Sequence, residues 1–494
     1  MLSSPAKPSS PPTTQRTPLL GDPLLDEANS PALDPSKKPR YGSELLLLFR
    51  ASVPIALSFA LQNVVQASSI LIVGGLGTYD MSVASYGYMF ASSTGSMIAL
   101  GGATALDTLC SQAITSVKPE EKAFVLRNYL QRGVLFLAAF YILVTVPLWC
   151  LSGRLFMTLG QEEDFATATG MFLRVLIPGG LIQVVAECLK KFLQVQGHSF
   201  PTGCAIAVAA AIGLAANVLL VRVLRLGFIG APLAHTIYHL STVLLLLAYT
   251  SSIPESLPCW AGFQKGRLKD WKRFANLAIT GIFTQAAESF SFEILALMAA
   301  RLDKVAIGAQ GIIMASDLIL YTIPLGISVA SSHRIGNLLG AADIKGLKFA
   351  LRMPYILSLI FGIVEFILIM LVRDSFGYLF SEDESVVRLT AQVLPIIALF
   401  QVLDLSNNGA FGILRGAGKV HVVFYSNIVA YYGFGMTTAW YFCFKLDNGL
   451  FGLWGGLVTG SAVLLVVQTI CILLINFEKE AEIVSRQDHG HPSR

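Results

Sequence analysis

The sequence predicts an all-α integral membrane protein: twelve transmembrane helices arranged as two parallel six-helix lobes. Three observations predict it. The chain is 54% hydrophobic and only 13% charged, where a soluble domain carries about 25% charge. Apolar runs of about twenty residues, the length that crosses a hydrocarbon core, recur along it. The second half also repeats landmarks of the first.

The mean hydropathy is +0.65, so a bilayer is the solvent that keeps such a chain from aggregating. Residues 1–43 are the exception. They are rich in Pro and Ser, lack the apolar core of a signal peptide, and are expected to form a disordered cytosolic tail. Leu19-Leu20 and Leu24-Leu25 in this tail each follow a proline and resemble sorting signals.

In order, the apolar runs are 44–74, 82–114, 128–152, 166–189, 200–222, 228–250, 272–300, 306–334, 350–372, 386–412, 420–444 and 450–476. Several exceed the thickness of the hydrocarbon core, which implies tilt. Their glycines and prolines are tolerated because neighbouring helices re-satisfy freed backbone groups. The first six runs form a lobe over 44–250 and the last six a lobe over 272–476. Residues 251–271 are the expected cytosolic linker, and 477–494 a C-terminal tail.

An even number of spans puts both termini on one side. The loops on that side hold Lys118, Lys122, Arg127, Lys190, Lys191, Lys265, Arg267, Lys269, Lys272, Arg273, Lys345 and Lys348. The opposite loops hold about half as many basic residues, with the acidic clusters Glu162-Glu163-Asp164 and Glu382-Asp383-Glu384. The positive-inside rule makes the termini cytosolic.

The halves match at a near-constant offset. Leu193-Gln194-Val195-Gln196-Gly197 has its counterpart in Leu414-Arg415-Gly416-Ala417-Gly418, 221 positions on, and Gly230 in Gly452, 222 positions on. Leu100-Gly101-Gly102-Ala103 precedes Leu325-Gly326-Ile327-Ser328 by 225 positions. Six spans per half make the repeats parallel, with a cavity between lobes that rock for alternating access.

Composition excludes several classes. The net charge is only +4, with no basic run interleaved with aromatics, so no nucleic-acid partner is indicated. Cys110, Cys150, Cys188, Cys204, Cys443 and Cys471 lie in or beside apolar runs and Cys259 in a polar loop, without CxxC spacing. No metal, cofactor or clustered catalytic group is expected, so the chain does not read as an enzyme.

Ionisable residues within spans are functional candidates, because each costs about 2.5–3.5 kcal/mol at the centre of a membrane helix. The seventh run holds Glu288 and Glu293, about 140° apart around a helix. The tenth holds Asp404 with Asn407 and Asn408 three and four residues on, and Gln401 one turn before, a polar stripe on one face. A carboxylate out of water holds its proton more tightly, and can exchange one near neutral pH. Glu288, Glu293 and Asp404 are therefore the candidates for proton and substrate coupling, with Gln401, Asn407 and Asn408 lining a cavity. The first run offers only the amides Gln62, Asn63 and Gln66, which cannot titrate and are expected to line the cavity or hold helices together. The coupling site is thus expected to be one-sided.

Other polar groups are read as structural. Glu187 precedes Lys190 and Lys191 by three and four residues, as in a helix-end ion pair. His235 and His239 share a face without a third metal ligand, and are expected to pack by hydrogen bonding. Asp107 is expected to anchor the cytosolic end of the second span. Asp317 and Glu365 have no evident partner.

Four motifs give a family resemblance over residues 44–476. Gly102-Ala103-Thr104-Ala105-Leu106-Asp107-Thr108-Leu109-Cys110-Ser111-Gln112-Ala113 resembles the second-helix motif of eukaryotic MATE (multidrug and toxic compound extrusion) transporters. Phe192-Leu193-Gln194-Val195-Gln196-Gly197 with Pro201 resembles their fourth-helix exit, and Leu414-Arg415-Gly416-Ala417-Gly418 the tenth. Ile323-Pro324-Leu325-Gly326-Ile327-Ser328-Val329-Ala330 with Arg334-Ile335-Gly336-Asn337-Leu338-Leu339-Gly340 resembles the eighth-helix signature. The Pro/Ser-rich tail suggests a fungal type. His333, before Arg334, stands where smaller residues are usual and has no reading.

The resemblance implies two lobes in a V and efflux of small cationic or amphiphilic molecules in exchange for H+, with Na+ the less expected coupling ion. It maps the seventh-helix acids onto Glu288 and Glu293 and the tenth-helix acid onto Asp404. The first-helix acid of many bacterial members is lacking. A monomer in the plasma or vacuolar membrane is expected. The alternative, a flippase for lipid-linked precursors in the same wider superfamily, would need a more basic cavity.

Overall fold

The structure, a computed structural model, describes residues 41–252 and 271–489. The dileucine pairs, Cys259, Lys265, Arg267 and Lys269 lie outside the described residues, as do most of the expected tail and linker. Twelve rods follow one another through the described chain. In the first half they are α1 (Tyr41–Gly74), α2 (Thr78–Ser116), α3 (Pro119–Thr158), α4 (Glu163–Val195), α5 (Ser199–Val223) and α6 (Gly227–Ser252). In the second they are α7 (Trp271–Ala299), α8 (Lys304–Gly340), α9 (Ile344–Leu379), α10 (Glu384–Gly416), α11 (420–445) and α12 (Gly449–Leu474). Each expected run falls on one rod, to within two residues.

Among the described residues, ten of the rods are long and apolar enough to cross a membrane. The other two have identifiable reasons. Gln285, Glu288 and Glu293 dilute the apolar character of α7, a helix of 29 residues. Ser426, Asn427, Tyr431, Tyr432, Thr437 and Thr438 dilute that of α11, which also holds two π-helical stretches, Ile428–Gly435 and Tyr441–Lys445. Large apolar side chains face outward along the rods, among them Leu143, Leu371 and Leu473, each at least 75% exposed. In water such a belt would drive association; facing lipid tails it is solvated.

The repeated glycines are helix stops. Gly197 and Gly418 both take the left-handed conformation, at φ +89° and +74°. After α4 the His198 amide donates to the Leu193 carbonyl and the Gly197 amide to that of Gln194. After α10 the Lys419 amide donates to Leu414 and the Gly418 amide to Arg415. This is the Schellman closure, which requires positive φ at the residue after the cap. Asp303 and Asp383 cap the starts of α8 and α10 by accepting from the Ala306 and Ser385 amides. These caps set the register of two acid-bearing helices.

Each lobe has a core, and a third apolar seam joins them. Leu48, Ile55 and Phe59 of α1 pack with Ile327, Val329 and Ala330 of α8 and Met353 and Leu357 of α9. Within the stretch after α12, expected as a cytosolic tail, Phe477–His489 forms a helix, α13. Its Phe477, Ala481 and Val484 lie on one helical face and bury against α8, α9 and α10. Lys419 pairs with Glu480 at 2.7 Å beside them.

Gly418→Ala is expected to lower stability by about 1–2 kcal/mol, because a Cβ is strained at left-handed φ. Gly433→Ala, at an open helical position, is expected to be neutral or stabilising. Thermal unfolding of the two detergent-purified variants reads the difference in sign.

Candidate functional site

The second lobe holds a narrow, partly open polar cavity between α7, α10, α11 and α12. Its lining includes Glu288, Asp404, Asn407, Asn408, Asn427, Tyr431 and Gln468. Helical spacing explains the α10 contribution: Asp404, Asn407 and Asn408 stand at i, i+3 and i+4. Asn408 Nδ2 donates to Asp404 Oδ2 at 3.2 Å, and Asn407 Nδ2 to the Ser461 carbonyl of α12 at 3.1 Å. Glu288, 8% exposed, accepts from Tyr321 Oη at 3.1 Å. Tyr321 sits where the α8 rod is interrupted, between Leu320 and Thr322.

The structure thus brings Glu288 and Asp404 to one cavity. Glu293 is not among the lining residues and is half-buried further along α7. The rotation of about 140° between the two positions accounts for the separation.

Gln401, expected to line the cavity, instead donates from Nε2 to Asp317 Oδ1 at 2.8 Å. One turn before Asp404, it reaches toward α8. Asp317, which has no evident partner in the sequence, is therefore held against α10. Glu365 of α9 is 4% exposed, and neither of its carboxyl oxygens has a hydrogen-bond partner among the described residues. Asp404 lies within electrostatic reach of Glu288, Asp317 and Glu365. Four acids from four helices converge; periodicity along single helices indicates only that each is buried.

The amides of α1 are not among the residues lining this second-lobe cavity; two of them join helices. Gln62 Nε2 donates to Glu187 Oε1 at 2.8 Å and Gln66 Nε2 to Ser92 Oγ at 3.4 Å, both within the first lobe. Asn63 stands on α1 between them, also outside the cavity lining. The polar face of α1 meets α2 and α4 of its own lobe, while its apolar face meets α8.

The first lobe is also less bare than expected. Glu187 and Lys190 pair at 2.6 Å with side chains only 1% exposed, an interior ion pair and not one at a solvated helix end. Lys190 Nζ lies 4.4 Å from the Phe59 ring centroid, a cation–π contact. Lys191 turns away from Glu187 and meets Asp107 at 2.9 Å. His235 and His239 join through their Nε2 atoms at 3.0 Å. Among the described residues no three His, Cys, Asp or Glu side chains gather to hold a metal.

Asp107 does more than anchor a helix end. Its side chain is fully buried between the lobes. Oδ2 meets Lys191 Nζ at 2.9 Å and an Arg415 guanidinium nitrogen at 3.1 Å, while Oδ1 meets His333 Nε2 at 2.9 Å. His333 thereby acquires a contact that sequence reading missed. Glu44 of α1 pairs with Arg334 of α8 nearby.

Known proteins share this architecture. The MatE family model matches residues 54–221 and 281–441. An uncharacterized transporter of Schizosaccharomyces pombe is 30% identical over 455 residues, 90% of this chain and 82% of the relative. Protein DETOXIFICATION 16 of Arabidopsis thaliana is 31% identical over 436 residues, 87% of this chain and 88% of its own. The human multidrug and toxin extrusion protein 1 is 27% identical over 449 residues, 90% and 77% of the two chains. Among solved structures, the eukaryotic MATE transporter AtDTX14 superposes with a TM-score of 0.82 at 27% identity, covering 90% of this chain and all of that one. The twelve rods, the paired lobes and these matches lead to one assignment: the chain belongs to the MATE family of multidrug and toxin extrusion transporters.

Proposed function

We propose that the protein is a proton-coupled antiporter that exports small cationic or amphiphilic molecules by alternating access. The observation that carries this reading is the convergence of Glu288 and Asp404 on one polar cavity. Among the described residues lining it none is basic. Deprotonated, the two acids attract a cation entering from the cytosol. Protonated from the far side, they lose that attraction and release it. A ligand drives such a switch only through its different affinities for the two states.

The same lining argues against a flippase for lipid-linked phosphates, whose cavity needs cations to hold the phosphate. The protein needs no cofactor in this reading, acts as a monomer, and performs no covalent chemistry. Its termini are cytosolic, as the basic loops indicate. It resides in the plasma or vacuolar membrane, which a fluorescent fusion distinguishes.

In proteoliposomes with an imposed pH gradient, Glu288→Gln and Asp404→Asn are each expected to cut efflux of a fluorescent cation more than tenfold. Efflux equal to the parent, or driven as well by a Na+ gradient alone, overturns the proton-coupled reading. Tyr321→Phe removes one hydrogen bond to Glu288, an interaction of about 1.5 kcal/mol for a charged acceptor, and is expected to change the rate roughly tenfold or less. A thiol at the exposed position Lys479 is expected to react with an impermeant maleimide only after intact cells are permeabilised. Labelling without permeabilisation sinks the assigned topology.

A further inference from the structure

We propose that Asp107 is the latch that holds the cytosolic end of the two lobes together, with Arg415 and His333 as its release points and Lys191 as its resident counterion. The proposal rests on the alternating-access reading, and concerns how the inward path is kept shut.

Asp107 lies on α2, nine residues before the end of that rod, and its side chain is 0% exposed. Of its three partners, Lys191 belongs to its own lobe, on α4. His333 on α8 and Arg415 at the end of α10 belong to the other. One carboxylate therefore ties two second-lobe helices, α8 and α10, to the first lobe.

The rest of the α2 face acts in the same direction. Thr108 Oγ1 donates to the Arg415 carbonyl at 2.7 Å and Gln112 Nε2 to the Gly416 carbonyl at 2.9 Å. Thr115 Oγ1 donates to the Asn337 carbonyl of α8 at 2.7 Å. Positions 108, 112 and 115 share one helical face. They reach carbonyls in the last turns of α10 and α8, adding to the backbone bonds that Arg415 and Asn337 already accept from the Gly418 and Ala341 amides. Arg273 of α7 reaches back to Gln112 Oε1 at 2.8 Å.

This composition makes the closure breakable. Water replaces the side chains at the helix-end carbonyls when the cytosolic end opens. A buried carboxylate stripped of every cation would be costly. Asp107 avoids that because Lys191 stays with it in the same lobe. Arg415 departs with α10, where Glu288 lies within its electrostatic reach. The excess of cations around one acid, unexplained as mere packing, is what a separable pair needs: one cation for each side.

The test is a distance measurement on the full-length protein in nanodiscs, without substrate or gradient, so it is independent of proton coupling. Spin labels go on cysteines placed at Lys118 and Lys345, exposed residues at this end of the first and second lobes, with Cys150, Cys204, Cys259 and Cys471 replaced by serine. Arg415→Gln cuts a cross-lobe leg and is expected to add a longer-distance population absent from the parent. Lys191→Gln, equally buried in the same cluster but within one lobe, is expected to keep the parent distribution. A structural cluster without latch function moves both variants or neither, and either result overturns the proposal. If Arg415→Gln does not fold, His333→Gln, the other cross-lobe leg, replaces it: a longer-distance population supports the latch and the parent distribution overturns it.

Discussion

A charge removed from water must be matched inside the protein, and the lipid around this one supplies nothing to match it with. Taking an ion out of water costs several kcal/mol even after relaxation. That constraint sorts most of the buried acids into two populations, with Glu365 of α9 outside both. Glu187 and Asp107 sit against lysine, arginine or imidazole. Glu288, Asp317 and Asp404 receive hydrogen bonds from Tyr321, Gln401 and Asn408. Matched charges hold helices together in one state. Acids met mainly by neutral donors can be discharged by a proton, and so can change state.

The same backbone plan carries both populations. Gly197 and Gly418 end α4 and α10 by the same left-handed closure, so the two helices enter their lobes in equivalent register. What differs is what each helix presents. At the repeat offset of 221, Glu187 corresponds to Asn408, and Gln194 to Arg415. The exchange moves an acid into a closed ion pair in one lobe and a cation into the seam in the other. Duplication supplies the scaffold; substitution at matching positions supplies the asymmetry on which a directional cycle depends.

The lobes meet through two kinds of contact of different character. Leu48, Ile55 and Phe59 against Ile327, Val329 and Ala330 form an apolar contact between α1 and α8. Apolar packing is non-directional and tolerates small rotations. The polar ties of Asp107, Thr108, Gln112 and Thr115 concentrate near the end where α2, α8 and α10 finish. Hydrogen bonds and ion pairs need defined geometry, so this end is held in one arrangement.

The sequence by itself determined the class of fold, the twelve apolar segments, the paired halves and the placing of acids at Glu288 and Asp404 within apolar helices. Those follow from hydropathy, from repeat spacing and from the cost of an acid in a membrane helix, all local or periodic properties. Only the tertiary structure decided which polar residues meet. It separated Glu293 from the cavity, gave Gln401 to Asp317, kept Gln62 in the first lobe, folded α13 onto the second, and joined Asp107 to His333 and Arg415 across 226 and 308 positions of chain. A helix's periodicity fixes which residues share its face. It does not fix which neighbour that face will meet, because that depends on how twelve rods pack together.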